Sequence, residues 1–447
     1  MSIKGKTIDY SLHQEDSSVY KMMRVRLSNF PSSSVILDNT SQELQITLPA
    51  NGKYNLARSG LGYTMPIPAD PLAAKANWTH EDEFTLGSEI SFGTPGDIKL
   101  ADLKFAGNYT KIVRKMETSL AEMQTFDVEN QLYPCNEEAA LNFYGSTNAR
   151  KGSTNYLETA YTSSTAAGTP TINNVYYPLN GFKNTIFSYD KTLYFGNEMV
   201  IKIQTNPLNK QIWRATSHIL PETASAADDV PSVVVSNIFL YLAVEQNERI
   251  NQSIVAKFNA GHFKINFPYT SAYSQSTTVA GINNISYSII KASGKRLLQV
   301  LYTAFNSENT RNTAWDCNNS NGIKVLSYRT IFDDKHQSDY ELSCLNPSAT
   351  ALNADDWYIA NQKHCKGSAI LNRDIYKLNW FHLDRFYEPN EKMDDDNLDI
   401  GKKLENHTMN YVVETVTQLA KLNHFIFATF RRTALLTKDG IEFESSN

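Results

Sequence analysis

The chain has 447 residues and a formal net charge of −5, with 41% hydrophobic and 20% charged residues. This length exceeds one ordinary core and favours two domains of roughly 200 residues, or three smaller ones. The acidic balance disfavours nucleic acid as the main partner, because phosphate binding needs a concentrated basic surface. Aromatic residues are frequent, with 24 Tyr, 21 Phe and 5 Trp. Such residues favour pleated surfaces, so the composition predicts an all-β protein.

The first half carries strand signals separated by loops and two helical patterns. Alternation of Leu44, Ile46 and Leu48 predicts a strand that stops at Pro49. We predict an amphipathic helix from the spacing of Ile112, Met116, Leu120 and Met123, whose methionines indicate core packing, and a short helix over 137–143. Small and polar residues predict surface loops over 162–174 and 222–231.

Two strands are predicted between these loops, over 185–195 and 199–205. Gly196 and Asn197 separate them, and both residue types tolerate positive φ. We therefore predict a hairpin turn at this dipeptide.

The middle of the chain predicts a strand, a helix and another strand. The apolar run 233–244 favours a strand, and 247–260 switches to helical spacing with Ile250, Ile254 and Phe258 on one face. Asn247 can cap the start of this helix and Gly261 can end it in a left-handed conformation. A half-buried strand from Phe263 to Phe267 follows. One short helix thus separates two β-rich halves.

The second half repeats the strand signals of the first. Alternation predicts a strand at 285–289, and the apolar run 297–305 predicts a strand buried on both faces, after a turn at 293–294. Five further segments favour strands, namely 323–332, 339–345, 378–386, 407–417 and 424–436. An acidic turn at 394–396 separates two of them. Each half therefore carries enough strands for a closed two-sheet sandwich.

Cysteine usage and hydropathy indicate the cellular compartment in which the protein resides. The cysteines are few and widely spaced, which fits free thiols in a reducing environment, and they are Cys135, Cys317, Cys344 and Cys365. The start of the sequence lacks an apolar signal core, and no apolar run approaches 18 residues. We expect a soluble protein that is neither secreted by the usual route nor membrane-spanning.

Metal and phosphate motifs fail on their spacing. The acidic cluster 394–399 suggests a calcium-binding EF-hand loop that would start at Asp395. In such a loop Ile400 occupies the position that requires glycine, and Asn406 the position of the bidentate Glu, so the motif fails. The segment 293–295 resembles the end of a phosphate loop, but Ile289 replaces its first glycine. His364 and Cys365 are adjacent, a spacing unsuited to zinc.

Catalytic arrangements are equally weak. The adjacent His364 and Cys365 would point to opposite faces of a strand. His382 and Asp384 could share a strand face, but the strained GxSxG nucleophile turn is absent. We assign no catalytic, cofactor-binding or metal-binding residue, and predict that the protein is not an enzyme. A basic group near the C-terminus, Arg431, Arg432 and Lys438, is interpreted as a solvated strand edge.

Several segments together resemble one protein family. Residues 184–207 (NTIFSYDKTLYFGNEMVIKIQTNP) resemble a segment of the first barrel in double jelly-roll major capsid proteins of virophages and polinton-like viruses. The central strand and helix resemble the linker of that lineage, which includes large eukaryotic DNA viruses. Segments 294–306, 321–334, 396–413 and 424–443 resemble later parts of the second barrel, in the same order. Lys295-Arg296 and Gly401-Lys402 depart from the usual Pro-Val and Ser-Arg.

The resemblance implies a fold and a domain organisation. The fold would be all-β, with two tandem eight-stranded jelly-roll barrels, a short linker helix and a few helices in loops. The domains would be an N-terminal arm at 1–20, a first jelly roll at 21–246, the linker helix at 247–260 and a second jelly roll at 261–447. The loop 162–174 would be a tower loop on the outer surface.

The resemblance also implies a function. The protein would be a major capsid protein whose homotrimers form pseudo-hexagonal capsomers that tile an icosahedral shell. Its partners would be itself, neighbouring capsomers, and penton and minor capsid proteins, without sequence-specific nucleic acid binding. Contact with an internal membrane stays open. Its location would be the virion, assembled inside the infected host cell.

Two other functions compete with this one. A carbohydrate-binding or adhesive β-sandwich would use exposed aromatics, for which Trp78, Trp315 and Trp357 are candidates. A β-sandwich hydrolase would use carboxylates from distant strands. Neither is supported by a specific motif.

Overall fold

The structure is a computed structural model of the full chain. It describes residues 18–66 (except 39), 75–78, 86–110 (except 97 and 108), 113, 172–205, 212–215, 232–276, 284–289, 296–306, 325–332, 335–336, 342–343, 381–386, 401–403, 409–415 and 422–443 (except 439). Within these ranges the chain is mostly β-strand, as the composition predicts.

Twelve strands precede the central helix. They are β1 Tyr20–Arg26, β2 Val35–Leu37, β3 Glu43–Leu48, β4 Gly52–Pro66, β5 Lys75–Trp78, β6 Glu89–Gly93, β7 Lys99–Lys104, β8 Ile172–Pro178, β9 Leu193–Phe195, β10 Met199–Gln204, β11 Ile212–Ala215 and β12 Val233–Glu245. Eight of them form two antiparallel sheets, in the orders β1-β12-β4-β8 and β3-β10-β6-β7. Strand β2 extends the first sheet beside β12, β9 joins it beside β4, and β5 and β11 form a separate pair.

Eleven strands follow the helix. They are β13 Phe263–Ser276, β14 Asn284–Ile289, β15 Arg296–Asn306, β16 Val325–Phe332, β17 Lys335–His336, β18 Leu342–Ser343, β19 Phe381–Arg385, β20 Lys402–Lys403, β21 Met409–Thr415, β22 Leu422–Thr437 and β23 Gly440–Phe443. The two sheets have the orders β13-β22-β15-β19 and β14-β21-β16-β17, and β18 also pairs with β16.

Both halves share one topology. When the eight core strands of each half are counted in chain order, one sheet has the order 1-8-3-6 and the other 2-7-4-5. Two packed four-stranded sheets with these long crossings form a jelly roll. The chain therefore contains two jelly rolls in tandem, and the predicted fold class is confirmed. For each roll we call the 1-8-3-6 sheet the front sheet.

The predicted central helix is present as α1, Glu248–Asn259. The Asn247 side chain accepts a hydrogen bond from the backbone N–H of Arg249, so it caps the helix as expected. Gly261 has φ +71°, the left-handed conformation that ends the helix. Ile250, Ile254 and Phe258 are buried on one face.

Most predicted strands are confirmed near their predicted bounds, and the apolar run of β15 is buried on both faces from Leu297 to Thr303. The strand predicted over 185–195 is wrong in its first part. Residues Ile186–Ser188 form a 3-10 turn, because the Thr185 hydroxyl accepts from the N–H of Phe187 and closes the turn. Residues 172–174, predicted as loop, begin β8.

The predicted hairpin at Gly196 and Asn197 is also wrong. Strand β9 pairs with β4 in the front sheet, whereas β10 pairs with β3 and β6 in the other sheet. The dipeptide thus carries the chain from one sheet to its partner. A Cβ on Gly196 would lie 2.9 Å from the Phe258 ring of α1, so this turn requires a small residue.

Several predictions lie outside the described residues. These are the helix through Met116, Leu120 and Met123, the helix over 137–143, most of the loop 162–174, the loop 222–231, the turns at 293–294 and 394–396, His364, and the four cysteines. In the described part of the chain no helix is long and apolar enough to cross a bilayer.

Candidate assembly site: the seam between the two jelly rolls

The seam is the contact between the first roll and the front sheet of the second. Its apolar part comes from the segment that follows β7. Phe105 packs edge-on against Phe425 of β22, with ring centroids 4.7 Å apart, and Tyr109 packs against Phe427 at 4.9 Å. Such aromatic pairs contribute about 0.5–1.5 kcal/mol beyond the area that they bury. The first roll therefore covers the outside of the second roll's front sheet.

A buried polar network lies beside these rings. Asn184 Nδ2 donates to the Tyr109 hydroxyl at 3.0 Å, and Thr270 Oγ1 donates to the Asn184 carbonyl at 2.8 Å. Thr270 also shares a hydrogen bond of 2.9 Å with Thr429 on the neighbouring strand. Asn184 has φ +59°, a left-handed conformation that Asn tolerates better than most residues. The network fixes one register between the rolls, because a shift would leave buried polar groups unpaired.

The seam buries polar side chains across the outside of the second roll's front sheet. Thr270, Gln299 and Thr429 are all buried, and Thr270 and Gln299 lie directly opposite Thr429 in the strand register. Leu301 lies opposite Phe427 on the same face and is also buried. This face would be half-polar surface in an isolated roll. Its burial shows that the two rolls form one packed unit.

Arginines on β22 close one end of the seam, which corrects the prediction of a solvated strand edge. Strand β22 is central in its sheet, and Arg431 is 4% exposed. The Arg432 guanidinium lies over the rings of Phe443 and Tyr269, at 3.8 and 4.4 Å, and donates to the Lys99 carbonyl of β7 at 3.4 Å. Sequence reasoning missed this role because local charge does not reveal a surface that a distant segment covers.

Helix α1 and the residues just before it are anchored to the first roll. The Phe258 ring stands edge-on to Tyr194 of β9 at 4.7 Å. Just before the helix, the buried Glu245 carboxylate accepts from the N–H groups of Val19 and Asn247, at 3.0 and 2.9 Å. Glu245 therefore ties the start of β1 to the start of α1.

Replacing Glu245 with alanine is expected to lower the free energy of unfolding by about 2–3 kcal/mol, because two partly buried backbone N–H groups lose a charged acceptor. Urea unfolding of the purified variant measures this. Glu248→Ala is the matched control, since Glu248 is exposed in the first turn of α1 and contributes at most about 1 kcal/mol through the helix dipole. Equal losses in both variants would contradict the anchoring role.

A second polar group links β4 to the segment that precedes β9. Arg58 makes a two-pronged contact with Asp190, with Nε–Oδ1 2.9 Å and Nη2–Oδ2 3.2 Å. The buried Asn55 also donates to Asp190 at 2.7 Å. Burial raises the pKa of Asp190, but the hydrogen bonds from Arg58 and Asn55 outweigh it, so the pKa is lowered overall. The group joins β4 to the 3-10 region before β9.

The interior of the second roll holds a histidine and tyrosine cluster. Tyr302 and His424 Nδ1 are hydrogen-bonded at 2.8 Å, and both side chains are buried. Burial lowers the pKa of His424 to about 3, so the ring is neutral at pH 7. The His382 ring stacks on Tyr328 with centroids 4.6 Å apart.

Of the weak catalytic candidates, His382 and Asp384 lie among the described residues, two apart on β19. His382 packs in the aromatic cluster, while Asp384 accepts a hydrogen bond of 2.8 Å from Thr330. Trp78 lies in β5, and Trp315 and Trp357 are outside the described residues. Among the described residues, no three His, Cys, Asp or Glu side chains group to hold a metal ion.

Two solved structures of viral origin align with the chain over most of its length. The virophage Sputnik structure aligns with TM-score 0.53 and 8% identity, over 96% of this chain and 88% of that one. PBCV-1 VP54, fitted into a Sputnik reconstruction, aligns with TM-score 0.51 and 9% identity, over 96% and 98%. The chain has a double jelly-roll fold. The mavirus major capsid protein also aligns, with TM-score 0.47 and 10% identity over 95% and 90%.

Comparison of the sequence with known protein families and curated proteins gives no match. No protein-family model matches the sequence, and no curated protein matches it. At 8–10% identity, the likeness is carried by strand order and packing, as found in both halves.

Proposed function

We propose that this double jelly-roll chain is a viral major capsid protein that homotrimerises into pseudo-hexagonal capsomers, which tile an icosahedral shell. The observation that supports this most strongly is the seam. It holds two rolls of the same topology side by side in one register, so three chains would present six barrels of fixed orientation. A shell subunit needs this rigidity, because errors in angle accumulate across many contacts.

The fold suits this role physically. Packed sheets pair most of the backbone hydrogen-bonding groups and leave few strand edges open to uncontrolled pairing. A trimer of this kind would bury well over about 2,000 Å² in an obligate interface, while contacts between capsomers would be smaller and more polar. Many weak contacts then stabilise the shell through multivalency.

The domain organisation belongs to the same proposal. Residues 1–20 would form an arm, 21–246 the first roll, 247–260 the linker helix and 261–447 the second roll. The start of β1 at Tyr20 and the position of α1 support the boundaries. The protein would act without catalysis, in the virion, after assembly in the host cell with neighbouring capsomers and with penton and minor capsid proteins.

Light scattering coupled to size-exclusion chromatography, followed by electron microscopy, tests the trimer. We expect particles with the mass of three 50.4 kDa chains and a hexagonal outline. A monomer at micromolar concentration would contradict the proposal. A glycan array on the same sample addresses the adhesive alternative, which predicts specific sugar binding by the monomer.

A further inference from the structure

A tyrosine pair connects the two sheets of the second roll along one edge. Tyr273 lies near the end of β13, the edge strand of the front sheet, and Tyr287 lies in β14, the edge strand of the opposite sheet. Backbone hydrogen bonds run within a sheet, so two packed sheets are held together by side chains and connecting loops. The two tyrosines are therefore a direct contact between the sheets.

The first roll joins the same edge with hydrogen bonds. Its corresponding strands are β1 and β3, the first and second core strands in chain order. Just after β1, the Ser28 N–H donates to the Gln45 carbonyl of β3 at 2.7 Å. The Asn29 side chain also donates to the Glu43 carbonyl at 2.7 Å. At the equivalent edge of the second roll, by contrast, two phenol rings are in contact.

The geometry of the pair suits a covalent bond between the rings. The ring centroids of Tyr273 and Tyr287 are 4.3 Å apart and the ring planes are tilted by 37°. When two phenol rings are joined through the carbons ortho to their oxygens, their centres are separated by two ring radii and one carbon–carbon bond, which is close to this distance. Rotation of a ring about its Cβ–Cγ axis leaves its centre in place. Coupling therefore demands rotation of the rings and little movement of the strands, and the fold already supplies the proximity.

Exposure makes this pair accessible to a dissolved oxidant. Tyr273 is 39% exposed, whereas the Tyr302 and Tyr328 rings, 5.5 Å apart in the interior of the roll, are 0% and 2% exposed. Burial raises the pKa of Tyr287, and a hydrogen bond with the Tyr273 hydroxyl raises it further. Tyr287 is therefore a neutral phenol at pH 7, whose proton leaves when the ring loses an electron.

We propose that Tyr273 and Tyr287 form an oxidative cross-linking site, at which a diffusible one-electron oxidant joins the two rings as dityrosine. Each phenol loses one electron to the oxidant and its proton to water, and the two phenoxyl radicals form one carbon–carbon bond between their ortho carbons. The hydrogens on these carbons then move to the oxygens, which restores two phenols.

The cross-link would fasten the front sheet of the second roll to its opposite sheet. It closes a loop between positions 273 and 287, and such a closure lowers the conformational entropy of the unfolded chain. We therefore expect the cross-linked protein to unfold at a higher urea concentration than the untreated protein. This modification concerns a single chain and does not depend on the proposed capsid function.

Photo-oxidation of the purified full chain with a ruthenium sensitiser and persulfate tests the site, since persulfate accepts two electrons and becomes sulfate. Residues 265–290 contain neither Lys nor Arg, so trypsin leaves both tyrosines in one peptide. We expect this peptide to lose two hydrogen masses and to show dityrosine fluorescence. Tyr273→Phe or Tyr287→Phe should lower its yield at least about tenfold, because the remaining ring has lost its held partner. Tyr269→Phe is the matched control in the same peptide and should keep the wild-type yield. A wild-type yield in Tyr287→Phe, or a product that joins two chains, would overturn the inference.

A second measurement uses the wild type alone and covers the case in which a variant does not fold. The same oxidation is carried out in buffer and in urea that unfolds the protein. The yield of the cross-linked peptide should be at least about fivefold lower in urea, because the fold no longer holds the two rings together. Equal yields in the two conditions would show that the folded structure does not create the site.

Discussion

Replacing Tyr109 with alanine is expected to lower the free energy of unfolding by about 3–5 kcal/mol, as for other buried aromatics cut to alanine. The ring is fully buried against Phe427, and its hydroxyl accepts from Asn184. Its loss opens a cavity in the seam and leaves a buried amide unpaired. We further expect the wild type to melt in one transition and Tyr109→Ala in two, because the variant's rolls lose the contact that couples them. Differential scanning calorimetry measures both effects.

Tyr109→Phe is the matched control. It keeps the ring and removes only the hydroxyl, so we expect a loss of about 1 kcal/mol and one transition. If Tyr109→Ala melted in one transition with a loss no greater than that of Tyr109→Phe, the seam would not couple the rolls.

Acidification is expected to destabilise the second roll through His424. An unfolded histidine titrates near pH 6.5, whereas the folded His424 has a pKa of about 3 because it is buried. Between these values the unfolded state binds more protons, so the contribution is fully present above about pH 6.5 and is lost as pH falls toward 3. At about 1.4 kcal/mol per pH unit, the loss reaches about 3 kcal/mol at pH 4.

Urea unfolding at several pH values measures this loss. His424→Gln removes the titrating group, and its stability should fall less steeply between pH 6 and pH 4 by about 1.4 kcal/mol per unit. His262→Gln, at an exposed position just after α1, is the control for the His-to-Gln replacement itself. Parallel slopes in the wild type and His424→Gln would refute the assignment.

The sequence was sufficient for elements whose signal is local. Asn247 and Gly261 mark the ends of α1 because capping and a left-handed residue are properties of a few neighbouring residues. The run from Leu297 to Thr303 is apolar enough to predict burial on both faces. The fold class followed from segments on both sides of the helix that resemble those of double jelly-roll capsid proteins and occur in the same order.

Features that depend on distant partners could not be predicted. Gly196 and Asn197 have the composition of a hairpin turn, but pairing with β4 on one side and β3 on the other sends their strands to different sheets. Tyr109 and Thr270 meet across 161 residues. Nothing around Arg431 indicates that another roll covers its strand.

The covered front sheet has a consequence for how the protein is made. The ribosome releases the first roll before the second, and domains generally fold in that order. Phe425, Phe427 and Leu301 therefore emerge when the surface that buries them already exists. A permuted chain that began with the second roll would expose these side chains for the whole synthesis of the other half. We therefore expect the order of the two rolls in the chain to limit aggregation during synthesis.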